Sequence, residues 1–416
     1  MAHKALSSGR LKSLFRYLSA ASLLTAAASA CQSAVDIRTA RDILGETFAD
    51  FLRRLENESR VEAKRSLVDS LIERVSTKGG PLIEDSTVHF LFRGPARRVS
   101  VPSDLNGWNP AADTMHRMAG TDLFVLSKDV ASASRFEYKL NVDSSWILDP
   151  LNPLQSFGGY GPNSELRMPL YTPPAEILSR PGVARGRIDT LEFKSTLLGR
   201  THPVFVYLPA GYKQTTKNIP SLWVTDGGEY LSLALMHTIL DNLIEDGRIG
   251  PLISVFIDPR TDIRNSETSK RMVDYALSET LTRALIEELR PLLLRKYRIS
   301  TSPEETGIMG ASMGGLCAVF TAFSRPDVFG FAAAQSPAFW WKDGAILRMI
   351  RNSGKKPVRF FVETGTIRDA ETESRKMKEI LLAKGYPLCY AEHPEAHNWA
   401  HWRAYIDDIL TCFRKK

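Results

Sequence analysis

The sequence predicts an α/β domain built on a mostly parallel sheet, preceded by a small antiparallel β-sandwich. Short alternating runs separated by turn residues fill much of the first half, strand-like runs alternate with helix-length stretches in the second, and a proline-containing segment divides them. With 416 residues, 43% of them apolar, the chain can bury a sizeable core in more than one domain.

The runs Val88–Phe92, Arg98–Val101, Leu123–Leu126 and Phe136–Leu140 alternate with a period of two, so the sandwich is placed at 82–172. Tyr171-Thr172-Pro173-Pro174 and then Pro181 close it, because proline breaks helices and donates nothing to a sheet ladder. Across 185–416, strand-like runs at Val204–Leu208, Ser221–Thr225, Leu252–Ile257, Gly307–Gly310, Phe331–Gln335, Val358–Glu363 and Leu388–Glu392 are interleaved with helical stretches near 230–246, 278–297, 313–325, 371–385 and 399–413. Such alternation builds a parallel sheet with helices on both faces. Residues 36–78, with apolar side chains at helical spacing (Ile43, Leu44, Phe48, Phe51, Leu52, Leu55), predict two amphipathic helices or a helical spacer.

Residues 1–31 read as an export signal: Lys4, Arg10, Lys12 and Arg16 precede the uncharged stretch Leu18–Ala30, which is too short to span a bilayer comfortably. The stretch ends in Ala28-Ser29-Ala30-Cys31, which resembles a bacterial lipoprotein signal with Cys31 as the lipidated residue. The alternative is ordinary signal-peptidase cleavage beside an incidental cysteine. The expected location is the periplasm of a bacterium, as a soluble or a membrane-anchored protein. Lipid on Cys31 would leave Cys317, Cys389 and Cys412, an odd number that indicates no disulfide framework; Cys389 and Cys412 either pair or stay as buried thiols. The net charge is +7, but the 54 basic residues are dispersed, which argues against a nucleic-acid partner.

Gly310-Ala311-Ser312-Met313-Gly314-Gly315 fits the G-x-S-x-G elbow and lies between a short apolar strand and a helix, as the α/β-hydrolase fold requires. A serine hydroxyl is a weak nucleophile until a histidine accepts its proton, and in this fold the chain order is serine, acid, histidine. His393, His397 and His401 follow Ser312. His397 occupies the loop after the last strand, where the base belongs, and solvated or packing roles are assigned to the other two. Asp369 is the expected acid, in the loop after Val358–Glu363, with Glu371 and Glu373 as competitors in a charge-rich helix. Acyl transfer also needs two N–H donors for the oxyanion. Met313 supplies one, and Gly228 is preferred to Gly227 for the other in Thr225-Asp226-Gly227-Gly228-Glu229.

Several of these stretches together resemble the enterochelin (ferric enterobactin) esterases, within the esterase D group. The resemblance rests on Gly310–Gly315, Ser336-Pro337-Ala338-Phe339-Trp340-Trp341, the His397 loop running to Trp402-Arg403, Val206–Tyr212, and Ile257-Asp258 with Arg264 and Glu267. In the first half, Asp104-Leu105-Asn106-Gly107-Trp108-Asn109 and Asp149-Pro150-Leu151-Asn152-Pro153 are similar to that family's N-terminal immunoglobulin-like domain. The family implies hydrolysis of the ester bonds of a catecholate siderophore, with Ser312, Asp369 and His397 matching its triad. The chain departs from it at Glu395-Ala396-His397, where Gly-Gly-His is usual, and at Ser336-Pro337-Ala338, where Ser-Gly-Ser is usual. Trp340, Trp341 and Arg264 are the candidate substrate-binding residues, although at least one Trp is expected in the core. The chemistry calls for no metal and no organic cofactor. Two other functions fit the sequence: a feruloyl or acetyl esterase acting on carbohydrate-linked esters, and a non-catalytic lipoprotein that uses the fold for binding.

If the export reading holds, mass spectrometry of the mature protein finds an acylated N-terminal Cys31, and Cys31→Ser releases the chain from the membrane. An unmodified N-terminus elsewhere contradicts it.

Overall fold

A computed structural model describes residues 39–159, 161–214 and 217–415. Residues 1–31, read above as an export signal, and Cys31 with them lie outside the described residues. The second half carries an eight-stranded sheet: β1 (Arg187–Ser195), β2 (Arg200–Leu208), β3 (Ser221–Thr225), β4 (Ile253–Ile257), β5 (Thr306–Ala311), β6 (Phe331–Gln335), β7 (Arg359–Ile367) and β8 (Leu388–Ala396). Their spatial order is β1-β2-β4-β3-β5-β6-β7-β8. The pairs β1–β2 and β2–β4 are antiparallel and every other pair is parallel, so the chain has the mostly parallel α/β-hydrolase sheet.

The central strands are buried along their whole length, which is why Phe331-Ala332-Ala333-Ala334-Gln335 is a run of small and apolar residues with little alternation. β1 is an additional strand that the strand-by-strand reading did not contain. It is an edge strand with charged residues on its open face, so its apolar signal is diluted. The helix Met313–Ser324 leaves Ser312 and runs beneath the sheet with eleven buried residues.

The first half forms three small sheets, one of them ordering Leu82–Glu84, Thr87–Arg93, Leu123–Asp129 and His116–Arg117. Within Thr87–Arg93, side chains of both parities are buried. Val88, Phe90 and Phe92 face the sandwich interior, while Leu91 faces a second cluster on the opposite side. That cluster corrects the reading of 36–78 as a spacer. Three helices, Ala40–Leu44, Phe48–Asn57 and Val61–Lys78, lay Phe48, Phe51, Leu55, Val68, Leu71 and Val75 on Leu82, Leu91, Leu123 and Val125 of the sandwich. Each fully buried side chain of this size contributes roughly 1.5–3 kcal/mol before entropy is charged against it, so the helices are part of the sandwich's core.

Cys389 on β8 and Cys412 on the C-terminal helix Ile406–Arg414 form a disulfide, and Cys317 is a buried free thiol. The odd count left after Cys31 thus resolves into one pair and one single. The bridge spans 23 positions, a loop length at which cross-linking stabilises by about 3 kcal/mol. Cys389→Ser, or reductant added to the wild type, is expected to lower the unfolding free energy by about that much. Identical denaturation midpoints with and without reductant would mean the two thiols are unpaired.

Candidate active site

Ser312 adopts φ +56° and ψ −121°, a conformation that a residue with a side chain takes only when its surroundings enforce it. Glycines on either side make the turn sterically possible. A Cβ on Gly310 would come within 2.6 Å of the Gly314 carbonyl oxygen and closer still to Thr225 Oγ1. The Ser312 backbone is held at both ends, its N–H donating to Gln335 O at 2.8 Å and its carbonyl accepting from Ala338 N at 3.0 Å.

The residues singled out for the chemistry lie at the carboxyl ends of β5, β7 and β8, which are close neighbours in a parallel sheet and so end on the same edge. His397 Nδ1 is 2.6 Å from Asp369 Oδ1. The other carboxylate oxygen accepts from Ser336 Oγ and the Gly365 amide, both at 2.6 Å, and from Thr364 Oγ1 at 3.3 Å. Burial of the Asp369 side chain pushes its carboxyl upward. The hydrogen bond from His397, the charges of His397 and His401 and the Ser336 hydroxyl outweigh that, and its pKa falls below the ordinary carboxylate value. Glu371 and Glu373 stay in the helix Glu371–Ala383, where Glu373 pairs with Lys376. The His397 ring meets the Trp402 ring edge to face at 5.0 Å. Ser312 Oγ makes no hydrogen bond to His397, a contact that often tightens only when substrate is bound.

Ser336 was not singled out by role. It caps β6 at φ +41°, donates to Asp369 Oδ2 and accepts from Trp402 Nε1 at 3.0 Å, so it fixes the acid against the indole that supports His397. Its place directly after β6 was the available signal.

His401 is neither solvated nor a neutral packing residue. It is fully buried, with Nε2 2.9 Å from Glu363 Oε2 and Nδ1 3.9 Å from Asp369 Oδ2. Burial disfavours its charge, but Glu363, Glu395 and Asp369 together raise its pKa to about 9, so an imidazolium sits behind the acid. His393 does pack: it stacks on Tyr405 at 3.4 Å, and burial lowers it to about 4.

Met313 opens its helix, where the first N–H groups have no intrahelical acceptor. Gly228 does not meet its assignment, because its N–H donates to Asp258 Oδ2 at 3.0 Å and is committed there. Close approach accounts for the glycines instead, against backbone at Gly227 and against side-chain ends at Gly228. A Cβ on Gly227 would strike the Phe256–Ile257 backbone, and one on Gly228 would strike Asp258 and Arg260. Arg264 also lies elsewhere, exposed to solvent and paired with Asp262. The cations at the Thr225–Glu229 loop are Arg260, bonded to Asp258 and Glu229, and Arg271, which grips Asp226 and donates to Ala311 O at 3.0 Å beside Ser312. Of the tryptophans, Trp340 is 54% exposed, just beyond the Ala338 amide that holds Ser312, while Trp341 packs against the core. Among the described residues no group of three or more His, Cys, Asp or Glu side chains is placed to hold a metal ion.

A family profile described as a putative esterase matches residues 195–413, more than half of the chain. The chain belongs to this esterase family. The iron(III) enterobactin esterase of Dickeya dadantii (strain 3937) is 25% identical to it over 407 residues, 81% of this chain and 90% of that one. The endo-1,4-beta-xylanase/feruloyl esterase of Xylanibacter ruminicola is 29% identical over 248 residues, 57% of this chain and 32% of that one. Among solved structures, the enterobactin esterase of Shigella flexneri in the presence of enterobactin superposes with a TM-score of 0.67 at 21% identity, covering 79% of this chain and 92% of that one. The resemblance to enterochelin esterases seen in the motifs is therefore borne out, and the esterase is a carboxylic ester hydrolase.

The His401 ion cluster has a pH signature. Its folded pKa of about 9 exceeds the 6.5 of a free imidazole, so its stabilisation is complete below about pH 6.5 and is lost as pH rises through 9. In His401→Gln the loss of stability between pH 7 and pH 10 is expected to be smaller than in wild type, by urea titration at both pH values. Equal losses in the two proteins would contradict a charged His401.

Proposed function

We propose that this esterase works through an acyl-enzyme on Ser312 and that its natural substrates are the ester bonds of a catecholate siderophore. Ser312 Oγ attacks the ester carbonyl while His397 Nε2 takes the hydroxyl proton. The tetrahedral oxyanion is received by the Met313 N–H, with a second donor other than Gly228 as the site stands. Collapse of the intermediate breaks the bond to the alkoxy oxygen, which leaves as the alcohol with the proton from His397. Water, deprotonated by the same imidazole, then releases the acid and restores the serine. Asp369 holds Nδ1 protonated and stabilises the imidazolium as it forms.

The observation that carries this reading is the 2.6 Å contact between His397 and a carboxylate already holding three other donors, on the sheet edge where Ser312 is strained into its turn. Siderophore esters are favoured over sugar-linked acyl groups because likeness to the Dickeya enterobactin esterase extends over 81% of the chain, whereas likeness to the feruloyl esterase covers 57%. Trp340 supports the same class: it is exposed, two residues after the Ala338 amide that bonds the Ser312 carbonyl, and an exposed indole suits an aromatic acyl group. Export and lipid attachment at Cys31 remain part of this proposal, as the sequence motif supports them.

Ser312→Ala is expected to abolish hydrolysis of p-nitrophenyl acetate with an unchanged circular dichroism spectrum. Asp369→Asn is expected to lower kcat by about ten thousandfold, while Glu371→Gln and Glu373→Gln change it little. Full activity in the serine variant, or a reversed order among the acids, overturns the mechanism. For substrate class, a side-by-side panel is expected to give a catecholate trilactone higher kcat/KM than feruloyl or acetyl sugars, with Trp340→Ala harming the catecholate more than p-nitrophenyl acetate. Preference for the sugar esters moves the enzyme to that class with its mechanism intact.

A further inference from the structure

The sandwich reaches into the catalytic loops through buried polar side chains. Arg135, on the strand Arg135–Tyr138, is wholly buried and donates from Nη1 to Asn398 Oδ1 at 2.8 Å. Its other terminal nitrogen binds Glu137 Oε1 at 3.0 Å and Glu165 Oε2 at 3.2 Å. Asn398 Nδ2 in turn donates to Asp104 Oδ2 at 3.1 Å. Asp104 is pinned by the Trp108 indole N–H at 2.9 Å and the Glu137 amide at 2.8 Å. Because a guanidinium can only donate, the oxygen of Asn398 must face Arg135 and its NH2 must face Asp104, so the amide has one possible orientation. Asn398 directly follows His397, and its Oδ1 also accepts the His401 amide at 3.1 Å, capping the helix Trp399–Ala404. A second contact touches the acid loop: Gly107, at φ +67°, lies beside the guanidinium of Arg368, the neighbour of Asp369, and a Cβ there would sit 3.2 Å from it. Ile367, at the end of β7, packs on the sandwich core.

We propose that the sandwich is a positioning part of the catalytic machinery, with Arg135 and Asp104 gripping Asn398 so that the His397 loop is held in register with Asp369. This rests on the acyl-enzyme reading above. The physical logic is one of preorganisation. His397 is the exposed member of its pair, with 42% of its side chain accessible, and no sheet ladder crosses its loop. An imidazole on a loose loop loses the near-attack geometry on which proton transfer depends. Two hydrogen bonds to buried, charged partners on a separate domain remove that freedom one residue away. They also give the Asp104-Leu105-Asn106-Gly107-Trp108 turn a task within the esterase reaction.

Arg135→Ala would strand Glu137 and Glu165 as buried unpaired carboxylates and threatens folding, so the test uses Asn398→Ser. Serine keeps a helix N-cap but is too short to reach Arg135 and Asp104. With p-nitrophenyl acetate the variant is expected to lose tenfold or more in kcat, with KM within twofold and the melting temperature within a few degrees. Amide exchange over residues 393–403, followed by mass spectrometry, is expected to accelerate. A merely structural role would lower the melting temperature and leave kcat per folded molecule unchanged. Wild-type kcat together with wild-type exchange overturns the positioning role while leaving the acyl-enzyme mechanism standing. Should wild type itself fail to hydrolyse the ester, the mechanism falls, and the exchange measurement still decides whether the sandwich restrains the loop.

Discussion

The hydrogen bond between Asp369 and His397 organises much of what surrounds it. A carboxylate whose side chain is wholly buried persists as an anion only if its oxygens are occupied by donors, and here Ser336, Gly365, Thr364 and His397 supply them. Each donor comes from a strand end: β6 for Ser336, β7 for Thr364 and Gly365, β8 for His397. The parallel order of these strands is thus a condition for the acid to exist in charged form. The close packing of β7 against β8 shows the same constraint, since a Cβ on Gly365 would strike the Glu395 carbonyl oxygen on β8 and come within 2.9 Å of Asp369 Oδ2.

Behind this bond lies a second layer of charge. His401 lies between Glu363 and Asp369, whose carboxylates favour its protonated form against its burial, and Glu363 is held by Gln335, whose oxygen accepts from Tyr230. A buried cation next to Asp369 favours its ionised state, and a neighbouring anion keeps that cation protonated. Glu395 takes the Tyr405 hydroxyl at 2.8 Å, and burial raises its pKa. The departures from Gly-Gly-His and Ser-Gly-Ser noted in the motifs fall at Glu395 and Ala396 and at Pro337 and Ala338, beside Ser336. They alter the chemistry next to the site and leave the serine, acid and histidine in place.

Much of this was legible in the sequence, for reasons that differ by residue. Ser312 stands out as the candidate nucleophile because a strained elbow demands glycines at fixed spacing, and strand order singles out His397 and Asp369, which the structure brings to within 2.6 Å of each other, as its candidate partners. β3 and β6 were readable to the residue because buried parallel strands are continuous apolar runs bounded by turns. What stayed hidden depended on side-chain direction. Gly228 was the expected second oxyanion donor, but its amide is committed to Asp258, a residue thirty positions away. Arg264 occupies a basic position in a plausible loop, yet Arg260 and Arg271 are the ones turned inward, which spacing does not encode. The charge on His401 arises from Glu363 and Asp369, distant in sequence and joined only by the sheet. The Arg135–Asn398 contact spans 263 positions between two domains and leaves no local pattern at all.

Active-site labelling reads directly whether Ser312 is a nucleophile activated by His397. Wild-type enzyme treated with a fluorophosphonate is expected to gain one phosphonyl group, located by peptide mass spectrometry on Ser312, and His397→Ala is expected to label far more slowly under the same conditions. Labelling at another residue, or an undiminished rate without His397, would contradict it.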